Sequence, residues 1–175
     1  EQAAGAGAFQ AGTPTAATPA GAEPVDVNAY LNYAEQLYND GKYDEALETI
    51  RTQRSLPVRT LNARARIFRS SYTNELSVYL DTGEFEKAVS LATAVEEGIK
   101  KYSGLLGQFQ CIMIFHLMRA FFIVRQYKKA LYWSNQILND TGAREDIYRF
   151  TKIINLIIHY ELKNTDLLPY LVRST

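Results

Sequence analysis

Three short stretches decide the fold of this chain: residues 41–46 read Gly-Lys-Tyr-Asp-Glu-Ala, residues 83–88 read Gly-Glu-Phe-Glu-Lys-Ala, and residues 125–130 read Arg-Gln-Tyr-Lys-Lys-Ala. Their starting positions, 41, 83 and 125, are evenly spaced. Each has a turn residue, an aromatic residue two positions later and an alanine three positions after that. Glycine closes a tight turn between antiparallel helices, alanine lets the second helix approach the first, and the aromatic ring fills the angle between them. The pattern predicts a helix–turn–helix unit around each stretch.

The same interval relates apolar residues outside the three stretches. Four columns show it: Tyr30, Tyr72 and Ile114; Leu37, Tyr79 and Phe121; Tyr38, Leu80 and Phe122; and Leu47, Val89 and Leu131. From Val25 onward the apolar residues follow a helical period, and no alternation with a period of two is sustained. The sequence therefore predicts an all-α chain of about seven to eight helices, with approximate bounds 27–40, 43–55, 60–81, 84–101, 105–124, 127–139, 144–162 and 166–173.

The motif Gly-x-aromatic-x-x-Ala, with an aromatic or large residue four positions before the Gly, resembles the helix–turn–helix of tetratricopeptide repeats (TPR). The resemblance covers about residues 27–173 and implies a right-handed TPR-like superhelix of antiparallel helix pairs, similar to uncharacterised bacterial helical-repeat proteins. Because the interval is 42 residues here and about 34 in the family, each helix is expected to be longer by about one turn. The resemblance concerns architecture and identifies no ligand.

Two places depart from the regular repeat. Arg125 replaces the turn glycine of the third unit, which is tolerable if its backbone avoids positive φ. A fourth unit turns at Lys163-Asn164-Thr165, where Thr165 and Leu168 replace the aromatic residue and the alanine. We therefore expect three regular helix pairs followed by a degenerate fourth.

Residues 1–24 differ in composition from the rest of the chain. They are rich in Ala, Gly, Thr and Pro, and Phe9 is their only large apolar side chain. Such a segment cannot bury enough surface to offset the entropy cost of ordering it. We predict a flexible linker or tail at residues 1–24 and a helical-repeat domain at residues 25–175, with units at about 27–57, 60–101, 105–140 and 144–175.

The overall composition argues against several classes of function. Lys+Arg and Asp+Glu number 19 each, so the net charge is zero and no global field attracts nucleic acid or anionic membranes. The most apolar stretch, residues 111–124, is shorter than the roughly 20 residues of a membrane span. Cys111 is the only cysteine, which excludes an internal disulfide and a zinc site of several thiolates, and its apolar surroundings predict burial. We expect no membrane span and no nucleic-acid partner.

No arrangement of residues typical of catalysis is found in the sequence. His116 and His159 belong to different units, and neither lies in a metal-binding motif. Adjacent carboxylates such as Glu96 and Glu97 lie on amphipathic helices, where a solvated face is the usual environment. There is no phosphate-binding loop and no nucleophile elbow. We predict that the chain is not an enzyme and that it binds no cofactor or metal.

The resemblance also implies a binding groove. In tetratricopeptide arrays the first helix of each pair lines a concave groove in which peptides lie. The turn register points to ten groove residues: Leu31, Glu35 and Tyr38; Ser70, Thr73, Ser77 and Leu80; and Phe115, Arg119 and Phe122. Chaperone-binding members have Lys and Asn where Leu31 and Glu35 stand here, so their carboxylate clamp is not expected. A groove with a polar middle and an aromatic end suits an extended or helical peptide with apolar anchors.

An arginine-rich stretch without acidic residues lies between Glu48 and Glu75. Arg66 and Arg69 are three positions apart and share a helix face, and a guanidinium can bind a carboxylate or phosphate through two hydrogen bonds. One interpretation is an anion-binding patch at Arg66 and Arg69. The alternative is that the arginines pair with acidic residues of neighbouring helices, namely Glu35, Glu45, Glu48, Glu75 or Glu84.

The function predicted from these features is a non-catalytic scaffold that binds a peptide segment or partner protein in the groove. The alternative is a regulatory domain that senses a peptide or small ligand and shifts the orientation of a fused domain. An enzyme or nucleic-acid binder that uses the arginine patch is disfavoured. The lack of a visible signal sequence favours the cytoplasm, although a processed exported protein would share this feature.

Overall fold

The computed structural model describes residues 26–174, and every regular element in that range is helical. The range contains nine α-helices and one 3-10 turn: α1 Val27–Asn39, α2 Tyr43–Ser55, α3 Leu61–Asp81, α4 Phe85–Ser90, α5 Ala92–Lys101, α6 Gln108–Ile123, α7 Tyr127–Leu138, α8 Glu145–Glu161, the 3-10 turn Thr165–Leu167 and α9 Leu168–Ser174. The predicted all-α class is confirmed. The predicted linker at residues 1–24 lies outside the described residues.

Side-chain caps start two of the helices. Asp26 accepts hydrogen bonds from the backbone amides of Asn28 and Ala29, at 2.9 and 3.3 Å, and the Thr60 hydroxyl accepts one from the amide of Ala63 at 3.2 Å. These bonds satisfy amides that the first turn of a helix leaves without a partner. The second cap therefore helps to fix the start of α3, the helix that carries four of the predicted groove residues.

One turn motif closes all four helix pairs. Its turn residues are Gly41, Gly83, Arg125 and Lys163, and their φ angles lie between 59° and 76°. The amide after each turn residue donates to a carbonyl five residues before it, as in a Schellman motif: Lys42 to Leu37, Glu84 to Tyr79, Gln126 to Phe121 and Asn164 to His159. The sequence analysis expected Arg125 to avoid positive φ, and this expectation is wrong, because the φ angle of Arg125 is 59°. The motif thus forces a non-glycine residue into the left-handed region twice.

The helix predicted at 84–101 is two helices, α4 and α5, which are separated at Leu91. The Leu91 amide donates to the carbonyl of Ala88, three residues back, so the α-helical hydrogen-bond ladder is interrupted there. Beyond the break, Gly98 of α5 lies against the ring of Phe68 from α3. A Cβ atom on Gly98 would lie 2.0 Å from two ring carbons. This close approach requires glycine, and helical periodicity did not predict it.

The helix pairs pack side by side in chain order. The first helices of the pairs, α1, α3, α6 and α8, contact one another in sequence, and we call these four helices the first-helix layer. Arg66 near the start of α3 bonds to Asn28 near the start of α1, whereas Asp81 at the end of α3 bonds to Tyr38 at the end of α1. These two helices therefore run in the same direction. The arrangement is compatible with a helical repeat.

The helix α6 lies at the centre of the core. It contacts helices of the preceding pair, its own partner α7 and the following helix α8. Met113, Leu117, Met118 and Ala120 of this helix are completely buried, and full burial of a large apolar side chain stabilises a fold by about 1.5–3 kcal/mol. Cys111 is buried in the same helix, as predicted, and burial raises the pKa of its thiol. The buried face of α6 therefore contributes a large part of the apolar core that stabilises the first-helix layer.

Candidate binding surface

The ten predicted groove residues lie on three members of the first-helix layer. Leu31, Glu35 and Tyr38 are on α1, Ser70, Thr73, Ser77 and Leu80 are on α3, and Phe115, Arg119 and Phe122 are on α6. Eight of them are half-buried, whereas Glu35 is exposed and Leu80 is buried. A side chain that is half-buried can both hold its own helix in place and contact a partner. These positions are therefore compatible with a shared surface.

Polar contacts link α1 to α3 and α3 to α6. The Tyr38 hydroxyl of α1 donates to Asp81 Oδ2 of α3 at 2.6 Å. Burial and this hydrogen bond to a carboxylate raise the pKa of Tyr38 to about 12. On the other side of α3, Ser77 Oγ lies 3.4 Å from His116 Nε2 of α6. Two of the predicted groove residues, Tyr38 and Ser77, thus also fix the spacing within the layer.

The imidazole of His116 is held in its neutral form. Burial, reinforced by the positive charge of Arg119, lowers the pKa of His116 to about 4. Its Nδ1 atom is buried and makes no hydrogen bond. The sequence left open whether this histidine belongs to the core or to a groove, and the structure places it, half-buried, between α3 and α6 beside predicted groove residues.

The aromatic end of the predicted groove continues onto α8. The Arg119 guanidinium lies 5.6 Å from the centroid of the Phe115 ring. The Phe115 ring in turn meets the Phe150 ring of α8 edge-on, with centroids 5.7 Å apart. Phe122 contacts Tyr127 of α7 in the same geometry at 5.9 Å. The surface therefore extends beyond the three helices from which it was predicted.

An exposed apolar stripe on α8 was missed by the sequence analysis. It consists of Phe150, Ile153, Ile157 and Tyr160, which are 47%, 52%, 40% and 57% exposed. Half of the other exposed large apolar side chains of residues 26–174 also lie close to the C-terminus, on the 3-10 turn and α9. Isolated exposed apolar residues are ordinary, but a contiguous row of four large ones usually marks a contact surface.

The stripe occupies the same register as the predicted groove. The first three turn residues, Gly41, Gly83 and Arg125, are evenly spaced, whereas Lys163 comes four positions earlier than that spacing would place it. When α8 is aligned by its turn residue, the four stripe residues fall on the positions of Ser70, Thr73, Ser77 and Leu80 of α3. Because the regular interval does not hold for the last unit, only the turn at Lys163 reveals the equivalence.

The two predicted patch arginines lie on the N-terminal half of α3 and face neutral partners. Arg66 donates to the side-chain oxygen of Asn28, and the Arg69 guanidinium lies 4.6 Å from the centroid of the Phe109 ring. Neither belongs to an ion pair among the described residues. The alternative interpretation, pairing with a neighbouring helix, applies to Arg54, which pairs with Glu75 at 2.5 Å.

A cleft between the two helices of the third pair does not coincide with the predicted groove. It measures about 520 Å³, lies between α6 and α7, and is lined by Gln110, Tyr132, Gln136 and Asp140 among others. None of the ten predicted groove residues lines it. Tyr132 is 49% exposed there, which makes it a useful comparison for the similarly exposed Tyr160 of the stripe.

A scan of protein-family models finds none that matches the chain, and no curated protein matches it either.

Within residues 26–174, no three His, Cys, Asp or Glu side chains are grouped so that they could hold a metal ion. In that same part of the chain, no helix has the length and apolar character needed to cross a bilayer.

Proposed function

We propose that this chain is a non-catalytic, tetratricopeptide-like scaffold of the cytoplasm whose first-helix layer binds a segment of a partner protein. The observation that carries the proposal is the α8 stripe, in which four large apolar side chains are exposed at the register positions of the predicted groove. Exposing them to water is unfavourable by about 25 cal/mol per Å². A partner that covers them recovers this free energy on binding.

A right-handed superhelix is part of the same proposal. The order of helix contacts supports the stacking of pairs that such a superhelix needs, because α3 and α6 each contact their own partner, the helix before them and the next first helix. Stacked pairs of this kind bury a continuous core and leave one helix of each pair lining an extended surface. The first-helix layer would then be the concave side of the array.

Site-directed photocrosslinking in cells that make the protein tests the proposal. A benzophenone amino acid replaces Tyr160 in the first-helix layer or, as the matched control, Tyr132 on α7. The two positions have similar exposure, 57% and 49%, but lie on opposite helices of their pairs. We expect discrete protein adducts from position 160 that position 132 does not give. The same adducts should weaken when Ile157→Asp is introduced. Identical adducts from both positions, or none from position 160, would contradict the proposal.

A further inference from the structure

Arg119 carries a positive charge that no carboxylate of the described chain neutralises. The residue is half-buried, its guanidinium lies against the Phe115 ring, and it belongs to none of the ion pairs within residues 26–174. The neighbouring His116 is neutral and supplies no negative charge. Asp81 acts electrostatically on His116, but its carboxylate already accepts the hydrogen bond from Tyr38. The charge of Arg119 is therefore available to an external anion.

Arg54 is a half-buried guanidinium of the same chain that does have an internal counterion. It also stacks on an aromatic ring, 3.9 Å from the Tyr72 centroid, but Glu75 pairs with it at 2.5 Å. A partly buried charge without a counterion loses hydration and gains no ion pair in return. The contrast between the two arginines indicates that Arg119 has an unused capacity for a carboxylate.

Arg119 and the α8 stripe form one continuous surface. The Phe115 ring joins them, because it is a neighbour of both the Arg119 guanidinium and the Phe150 ring. Arg119 and Ile157 also stand at equivalent positions, each six residues before the turn residue of its unit. The stripe has the spacing i, i+3, i+7 and i+10, which places its members along one face of α8. Such a ridge is complementary to the apolar face of a second helix.

We propose that the partner segment is an amphipathic helix in which a carboxylate adjoins large apolar side chains. Its apolar face packs on Phe150, Ile153, Ile157 and Tyr160, and its carboxylate pairs with Arg119. This inference rests on the proposed function and specifies the chemistry of the partner. Arginine binds a carboxylate through two parallel hydrogen bonds, and such bonds are stronger than those between neutral groups. The ion pair selects and orients a helix that the apolar contact alone would bind without preference.

The test uses the full chain and a set of synthetic peptides of about 18 residues, long enough to form a helix. All peptides are capped at both ends and share one leucine face. A single Glu is moved through each position that flanks this face, and every Glu peptide has a twin with Gln. Binding is measured by fluorescence anisotropy. We expect at least one Glu peptide to bind about tenfold more tightly than its twin, the effect of one partly buried charge pair.

Variants assign the effect to its residues. Arg119→Gln should remove the preference for Glu while leaving the weaker apolar binding, and Arg119→Lys should retain part of the preference. Arg149→Gln is the matched control, because Arg149 is an exposed α8 arginine that already pairs with Glu145. Ile157→Asp should weaken the binding of every peptide. Thermal unfolding followed by circular dichroism verifies that each variant is folded.

The outcomes separate this inference from the proposed function. Equal binding of every Glu and Gln pair, or a preference that survives Arg119→Gln, overturns the inference. If Ile157→Asp still weakens the binding, the proposed function stands. If Ile157→Asp leaves peptide binding unchanged, both the inference and the proposed function are overturned. Self-association of the wild-type chain that Ile157→Asp removes would make a second copy the occupant and would also overturn the inference.

Discussion

Arg125 and Lys163 hold a backbone conformation that suits glycine better than any other residue. Both have positive φ at the turn position where the first two units have Gly41 and Gly83. For a residue with a Cβ this conformation costs about 1–2 kcal/mol, and the higher chain entropy of unfolded glycine offsets part of the difference. The Schellman hydrogen bonds at these turns keep both residues there.

We expect Arg125→Gly and Lys163→Gly each to stabilise the fold by roughly 0.5–1 kcal/mol, because the left-handed strain disappears. Urea denaturation gives the free energy of unfolding for each variant. Gly41→Ala and Gly83→Ala are the reverse controls and should destabilise by about 1 kcal/mol. A Cβ at either glycine would meet no atom within 4 Å, so the loss would be conformational. Destabilisation by Arg125→Gly would show that the arginine side chain outweighs the strain.

The neutral state of His116 makes stability depend on pH. Its pKa is about 4 in the folded chain and near 6.5 when unperturbed. Between these values the unfolded chain binds a proton that the folded chain does not, so stability is present above pH 6.5 and is lost as pH falls toward 4. We expect His116→Gln to reduce the loss of unfolding free energy between pH 7 and pH 4 by roughly 2 kcal/mol, less than the full shift implies because the ring is partly exposed.

Urea denaturation of both proteins at pH 7, 5.5 and 4 measures this difference. The carboxylates titrate in both proteins, so their shared contribution cancels in the comparison. An unchanged pH dependence in His116→Gln would mean that the imidazole titrates at its ordinary pKa in the folded chain.

Among the helices, α5 depends on a residue without a side chain. Gly98 allows α5 to lie directly on the Phe68 ring of α3, which also contacts the rings of Tyr72 and Tyr102 at 4.8 and 5.2 Å. The ring is thus enclosed and has little room to move when a methyl group is added. The contact explains why α5 can follow the break at Leu91 and still join the core.

We expect Gly98→Ala to destabilise the protein by about 1–3 kcal/mol, the usual effect of overpacking a core. Phe68→Leu should relieve the clash, so the double variant should be less destabilised than the sum of the two single variants. Free energies of unfolding from a double-mutant cycle test this coupling. Additive effects would indicate that α5 moves away from α3 instead of pressing on the ring.

The sequence predicted the bounds of the helices well where the repeat was regular, and less well where tertiary packing determined where a helix breaks. The even spacing of the turn motif correctly located α1, α2, α3, α6 and α7 to within a few residues. It could not locate the break at Leu91, because no proline marks it and both halves keep a helical pattern. It also missed the α8 stripe, because the groove register was counted only in the three regular units. Counting it from the fourth turn at Lys163 as well would have found the stripe.

On the scale of the whole molecule, stability should be distributed unevenly along the array. The helix α6 packs against helices before and after it, whereas α9 contacts mainly α8 and the adjoining 3-10 turn. In stacked repeats each unit is stabilised by its neighbours, so terminal units open at a lower free energy than central ones.

Hydrogen exchange followed by mass spectrometry should therefore find the slowest amides in α6 and the fastest in α9 and the first turn of α1. Ile157→Asp, far from the first pair, serves as the control and should leave the protection of α1 and α2 unchanged. Equal protection from α1 to α9 would mean that the helices unfold as a single unit.

The single cysteine, Cys111, is buried, and the rate at which a thiol reagent labels it can report on opening of the unaltered chain. Because Cys111 is buried in the first turn of α6, a thiol reagent can reach it only when the structure around it opens. The labelling rate of the native protein therefore measures how often this end of α6 opens, without any substitution or attached dye. A helix bound across Arg119 and the α8 stripe would bridge α6 and α8, so Cys111 should be labelled more slowly in its presence. The labelling rate would therefore report on occupancy of the surface even before the partner has been identified.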